Sequence, residues 1–117
     1  LIVDLKTTQD ANPETFARTA LTYGYGQQQA HYMDIIAKET GREPRFLFVL
    51  VEKQAPYLVS VVELDNLFVE VSRQKNREAA EAWKRAKESD SWPGYEGISR
   101  VLMPAWGLDD VDEEISL

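Results

Sequence analysis

The run "RFLFVLVE" (Arg45–Glu52) constrains this fold more than any other stretch of the chain. It is too short for a helix between the turn signals that flank it, and too apolar for a half-exposed strand. It therefore reads as a central strand covered on both faces. "KQAP" makes a turn after it, and "YLVSVVEL" (Tyr57–Leu64) reads as an antiparallel partner. Leu1–Lys6 alternates around a β-branched centre and predicts another strand, with "TTQDAN" following as a loop.

Helices fill the gaps. Asn12 can accept a hydrogen bond from an orphan amide and Pro13 loses nothing at the first helical position, so a helix is expected from there to about Tyr23. Phe16, Ala17, Ala20 and Leu21 would form its apolar face. "YGYG" breaks it, and a second helix is expected over Gln27–Thr40, ending at Gly41 with Pro44 beyond. A long helix from about Asp65 to Ser89 carries Leu67, Phe68, Val71, Ala79, Ala82, Trp83 and Ala86 near one stripe. "SDSWPGYEGIS" reads as a structured loop and "RVLMPAW" as a short final strand. The order strand, helix, helix, strand, strand, helix specifies an α/β layer with a mixed central sheet flanked by helices. A sheet that opens at residue 1 without an initiator Met is expected to be truncated at its N-terminus, with upstream strands belonging to it.

Composition narrows the function. The 117 residues suffice for one domain, and 44% hydrophobic with 28% charged residues is ordinary for a globular chain. No apolar run approaches the roughly 18 residues of a membrane helix and no signal-peptide pattern is present, so a cytoplasmic setting and no membrane partner are expected. Without Cys there is neither a disulfide framework nor a thiolate metal site. Five acids lie in residues 107–117, leaving −2 of the net −7 for residues 1–106. The expected division is therefore a core at 1–106 and a solvated acidic tail at 107–117. Six Lys/Arg stand against two Glu from Arg73 to Lys87, so a nucleic-acid partner stays open.

Two constellations carry possible chemistry. Asp4 and Lys6 project from the same face of their strand, at the C-terminal end where α/β sheets place ligand crevices. A solvated strand face would place them the same way. The chemistry that wants the pair is metal-assisted phosphodiester hydrolysis: Asp4 would hold a hard divalent cation, while Lys6 would orient the attacking water or offset charge on the phosphate. One carboxylate is too few for a tight site, so a second acid is expected on a preceding strand. In "QQQAHY", Gln28 and Tyr32 stand four apart on one helical face. They read either as a polar boundary over a core or as contacts to the scissile region of DNA. His31, with no second His or Cys nearby, reads as surface or packing rather than zinc ligation.

"LIVDLKTT" followed by "ANPETFARTALTYGYGQQQAHYMD" resembles the PD-(D/E)xK nuclease superfamily, and within it the exodeoxyribonuclease VIII (RecE-type) exonucleases of phages and prophages. Asp4-Leu5-Lys6 matches the second acid and lysine of that signature, and Gln28 through Tyr32 its Gln-x-x-x-Tyr motif. "FLFVLVEKQAPYLVSVVEL" is similar to the core hairpin and "SWPGYEGISRVLMPAW" to the closing segment. The resemblance implies a restriction-endonuclease-like core and a Mg²⁺- or Mn²⁺-dependent exodeoxyribonuclease. It would digest linear double-stranded DNA 5′-to-3′ and leave 3′ single-stranded tails for recombination. It further implies a RecT-like single-strand annealing protein as partner and a homo-oligomeric ring around DNA. On that likeness Asp4 is a metal ligand and the Leu5 backbone carbonyl a second one. Lys6 is catalytic, and Gln28 and Tyr32 position DNA, with Thr7 grouped beside them. The family's first metal-binding acid falls upstream of residue 1, so this chain alone is expected to bind metal poorly and cut little. The alternative is a catalytically incomplete nuclease-like module that binds DNA ends or mediates oligomerisation.

Weaker features complete the reading. Glu52 is expected at a strand end meeting water rather than beside a metal. Trp83, Trp92 and Trp106 are expected to anchor the C-terminal segment in the core. Arg73, Lys75, Arg77, Lys84, Arg85 and Lys87 read equally as solvated helix charge or as a phosphate-tracking face.

Overall fold

The structure, a computed structural model, describes residues 1–108. The acidic tail expected at 107–117 lies outside the described residues except for its first two. Three strands, β1 (Ile2–Thr8), β2 (Phe46–Glu52) and β3 (Val59–Val62), form a sheet in the order β1-β2-β3. β1 runs parallel to β2, with Asp4 opposite Phe48 and Lys6 opposite Leu50; β3 runs antiparallel to β2. Between β1 and β2 the chain crosses over through α1 (Pro13–Tyr23) and α2 (Tyr25–Thr40), and α3 (Asn66–Ser89) packs on α2. The mixed sheet and the central place of β2 are as the sequence predicts.

The core follows from alternation along β2. Phe46, Phe48 and Leu50 point to one side and are fully buried beneath Phe16 and Ala20 of α1 and Met33 of α2. Each such side chain contributes roughly 1.5–3 kcal/mol. Leu47, Val49 and Val51 point the other way and are only half-buried, beside exposed Val3, Leu5, Val59 and Val61. The expectation that β2 is covered on both faces is thus corrected: both helices that contact the sheet's core lie on one side, and among the described residues nothing packs on the other.

Local signals set the helix ends. Asn12 accepts from the Glu14 amide at 3.0 Å and starts α1 as expected. Gly24 alone makes the break: its φ of +70° closes α1 and lets α2 begin at Tyr25, two residues before the predicted start. Gly26 lies inside α2 where it meets α3. A Cβ there would sit 2.5 Å from Phe68 Cε1 and in collision with Ser72 Oγ. The helices cross closely because that position carries no side chain.

The remaining predictions need correction. β1 continues through Thr8, because Lys53 N donates to the Thr8 carbonyl at 3.0 Å and extends the pairing. On α1 only Phe16 and Ala20 are buried, while Leu21 is exposed. α3 does not bury its Leu67–Val71–Trp83 stripe. Its contact face is Phe68, Val69, Ser72 and Asn76, where small or polar side chains permit the approach to Gly26 and Gln27. Arg73 spans α2, the following loop and α3, donating to Asp34 (2.9 Å), Glu43 (2.5 Å) and Glu70 (2.6 Å). Those bonds, Glu43 first, hold its pKa above the ordinary guanidinium value. "RVLMPAW" forms no strand; Ala105–Leu108 is a single 3₁₀ turn. Trp83, Trp92 and Trp106 are all more than half exposed, so they do not anchor a core within the described residues.

Candidate active site

The side of β1 that faces the helices carries Ile2, Asp4, Lys6 and Thr8 in succession, the polar pair interrupting an apolar register. Both side chains are largely withdrawn from water, Lys6 to 18% exposure and Asp4 to 23%. Lys6 Nζ lies 2.9 Å from Asp4 Oδ2 and donates to Gln28 Oε1 at 2.8 Å. The same ammonium stands 4.2 Å from the centre of the Tyr25 ring, a cation–π contact that its partial desolvation strengthens.

Helix periodicity brings these groups together. Tyr25 and Gln28 are three apart in the first turns of α2, so they share a face, and the turn at Gly24 aims that face at β1. Tyr25 is fixed from behind by Phe16 and Phe48, at ring-centre distances of 6.0 and 6.2 Å. Lys6 thus sits in a formed socket of carboxylate, amide oxygen and aromatic face. The two side chains are not in open solvent, and Lys6 meets Gln28 of α2 directly.

Asp4 Oδ2 is buried and, among the described residues, no well-aligned hydrogen bond reaches it, the Lys6 contact being one of charge rather than of direction. A desolvated carboxylate oxygen with spare acceptor capacity is a donor that a hard cation would use. The carbonyl of Leu5 lies between the pair in sequence, and the Leu5 side chain points to the open face of the sheet. Among the described residues there is no group of three His, Cys, Asp or Glu able to hold a metal.

The other predicted positions are more dispersed. Thr7 alternates to the opposite side of β1 from Asp4 and Lys6, although it borders the cleft that runs on past Lys6. Tyr32 is one turn beyond Gln28 on α2 and 44% exposed, with its ring beside that of exposed His31. Glu52 does not simply meet water: its Oε1 accepts from the Ala11 amide at 3.1 Å, while Ser60 Oγ donates to the Ala11 carbonyl. Together they pin the loop after β1. Of the basic residues on α3, Arg73 is consumed by its three carboxylates and Lys87 lies over the Trp83 ring.

The sequence pattern of one family, described as a PDDEXK-like domain of unknown function (DUF3799), matches residues 1–102. The chain belongs to that family. The match takes in all three strands and helices of this DUF3799 domain and both of its predicted chemical motifs. A crystal structure from Eubacterium rectale, described as a "Putative exonuclease", superposes with a TM-score of 0.67 at 14% identity. The superposition covers 94% of the DUF3799 chain and 47% of that structure, so the chain spans about half its length. At that identity the likeness establishes the fold: a mixed α/β core of the PDDEXK-like kind. Comparison with curated proteins gave no match.

Tyr25 is the residue that reading the sequence missed. "YGYG" was visible only as a helix break, whereas the spacing of Tyr25 to Gln28 is the signal that would have placed the ring on the Gln28 face. No helix among the described residues is long and apolar enough to cross a membrane.

Proposed function

We propose that this DUF3799 domain is the core of a metal-dependent exonuclease acting on linear double-stranded DNA, with Asp4 and Lys6 at the reacting phosphate. The observation that carries the reading is the half-buried contact chain Asp4–Lys6–Gln28, built across a strand and a helix that the sequence separates by 22 positions. A surface ion pair would contribute only about 0–1 kcal/mol and needs no such socket.

Asp4, with the Leu5 carbonyl, would hold Mg²⁺ or Mn²⁺. The fit is that of a partial site: hard oxygen donors, one buried and without a directed partner, for a cation content with one or two carboxylates plus waters and phosphate oxygens. When bound, the cation polarises the phosphate and acidifies an attacking water. Lys6 orients that water or offsets the charge gathering on phosphate oxygens. Gln28 holds the ammonium in register, and Tyr25 directs it. Tyr32 and Thr7 contact DNA at the margins. Digestion 5′-to-3′ with 3′ tails left for a RecT-like annealing partner, and assembly into a ring, extend the same reading.

One observation favours a second reading: the described residues offer a single carboxylate at the site. A module so built would bind DNA ends or support oligomerisation without cutting. The discriminating experiment digests linear and circular duplex with the native protein and its Lys6→Ala variant, with Mg²⁺ and with chelator. Loss of linear-duplex digestion on substitution and on chelation supports the enzyme. Full activity in the variant or in chelator sinks it, and equal attack on circles sinks the exonuclease assignment.

A further inference from the structure

A cleft of about 450 Å³ continues from Lys6 between β1, the loop after it and α1. Its walls include Thr15, Tyr23, Tyr25 and Lys53. The volume falls within the roughly 300–1,000 Å³ typical of sites for small ligands. We infer that this cleft takes an unpaired nucleotide of the DNA strand, with its base stacked on Tyr23 and its phosphate against Lys53. The inference rests on the nuclease reading and adds the state of the substrate, a strand end separated from its complement.

The aromatic arrangement supplies the argument. Tyr23 stacks on Tyr25 with ring centres 5.8 Å apart at 25°, Tyr25 stacks on Phe16, and Phe16 meets buried Phe48 at 5.3 Å. The ladder is rooted in the core and ends in water, for Tyr23 is 69% exposed. A ring held in that way closes no core, and it loses little further freedom on receiving a base. Stacking on an aromatic ring demands a base already out of the duplex and tolerates any base identity. Lys53, exposed on the turn after β2, supplies a cation on the same cleft. Asp10, the one acid on the wall among the described residues, already accepts from the Asn12 amide at 2.9 Å. Tyr25 links the two halves, since its ring meets both Lys6 and Tyr23, so a nucleotide stacked on Tyr23 shares the cleft that Lys6 lines.

The test measures binding of labelled duplexes with blunt or frayed ends to the full chain in chelator, by fluorescence anisotropy. Wild type should prefer frayed ends. Tyr23→Ala should weaken that binding about 5- to 150-fold, the range for one base–aromatic stack, and Tyr23→Phe should restore it. Lys53→Ala should lower the slope of log affinity against log salt by about one. Unchanged frayed-end binding in Tyr23→Ala, failure of Tyr23→Phe to rescue, or no preference in wild type overturns the inference. Digestion separates it from the broader reading. If Lys6→Ala abolishes cleavage while Tyr23→Ala leaves frayed-end binding intact, the cleft assignment alone fails. If Tyr23→Ala loses binding but Lys6→Ala still cuts, the cleft stands and the catalytic assignment fails.

Discussion

Gly26→Ala tests whether the approach of α2 to α3 positions the site. In an isolated helix the substitution gains up to about 1 kcal/mol of propensity. Here the new Cβ would lie 2.5 and 2.7 Å from two Phe68 ring carbons and collide with Ser72 Oγ. Neither neighbour gives way freely. Ser72 donates to the Phe68 carbonyl at 2.7 Å, a bond worth roughly 1 kcal/mol, and Phe68 packs against the core cluster. Overpacking of this kind costs about 1–3 kcal/mol; loss of the Ser72 bond roughly cancels the propensity gain, so the net expectation is a loss of roughly 1–3 kcal/mol. Chemical denaturation followed by circular dichroism measures it, and the melting temperature should fall by about 4 °C or more per kcal/mol. In a background where Phe68 and Ser72 are both Ala, the penalty of Gly26→Ala should shrink by at least half. Because Gln28 is two residues further along α2, the displaced helix should also loosen Lys6 and lower DNA cleavage. A Gly26→Ala protein as stable as wild type, or a penalty indifferent to Phe68 and Ser72, would refute the reasoning.

Further outcomes bear on the chemistry. Lys6→Met, which keeps the stem over Tyr25 and removes the charge, should lower the rate on linear duplex by about 10²–10⁴-fold while the circular dichroism spectrum is preserved. Thermal-shift titration with Mg²⁺ should stabilise wild type by about 0.4 kcal/mol when the free ion equals its Kd, and should leave Asp4→Asn unmoved; an equal shift in both excludes Asp4 as a ligand. The Arg45 guanidinium hydrogen-bonds both Glu63 oxygens and holds that carboxyl below its usual range. Its stabilising contribution is complete above the unfolded carboxylate pKa and disappears as pH falls through the lower folded value, so Glu63→Gln should flatten the acid limb of a stability–pH curve.

What the sequence disclosed was local or periodic. Asn12-Pro13 and Gly41 announce their helix ends through backbone chemistry alone, and "RFLFVLVE" declares its central position by lacking any alternation. Asp4 and Lys6 were legible as neighbours because a strand has period two. The misreadings share a different origin. Leu67, Val71 and Trp83 look like a core stripe on α3, but what selects the buried face is close approach to Gly26, which rewards Ser72 and Asn76. Tyr25 escaped because its cation–π contact joins residues from two elements, and its three-residue spacing to Gln28 is the one trace left in the sequence. Glu52 escaped for the same reason, since its partner is an amide 41 residues away. The half-exposed side of β2 among the described residues could not be foreseen from an apolar run that looks identical whether one layer or two lie against it.

The pairing of β1 with β2 bears on how samples of this protein should behave. Residues 2–8 lie opposite 46–52 without a bulge, and in that alignment acid and base face the helices together. Sliding the strand by one position would turn Val3 and Leu5 towards the helices and send both charged groups into the opposite layer. A misaligned molecule would therefore be wholly inert rather than impaired. If the proposed catalytic role of the pair holds, the specific activity of a refolded preparation should track the fraction of correctly threaded chains.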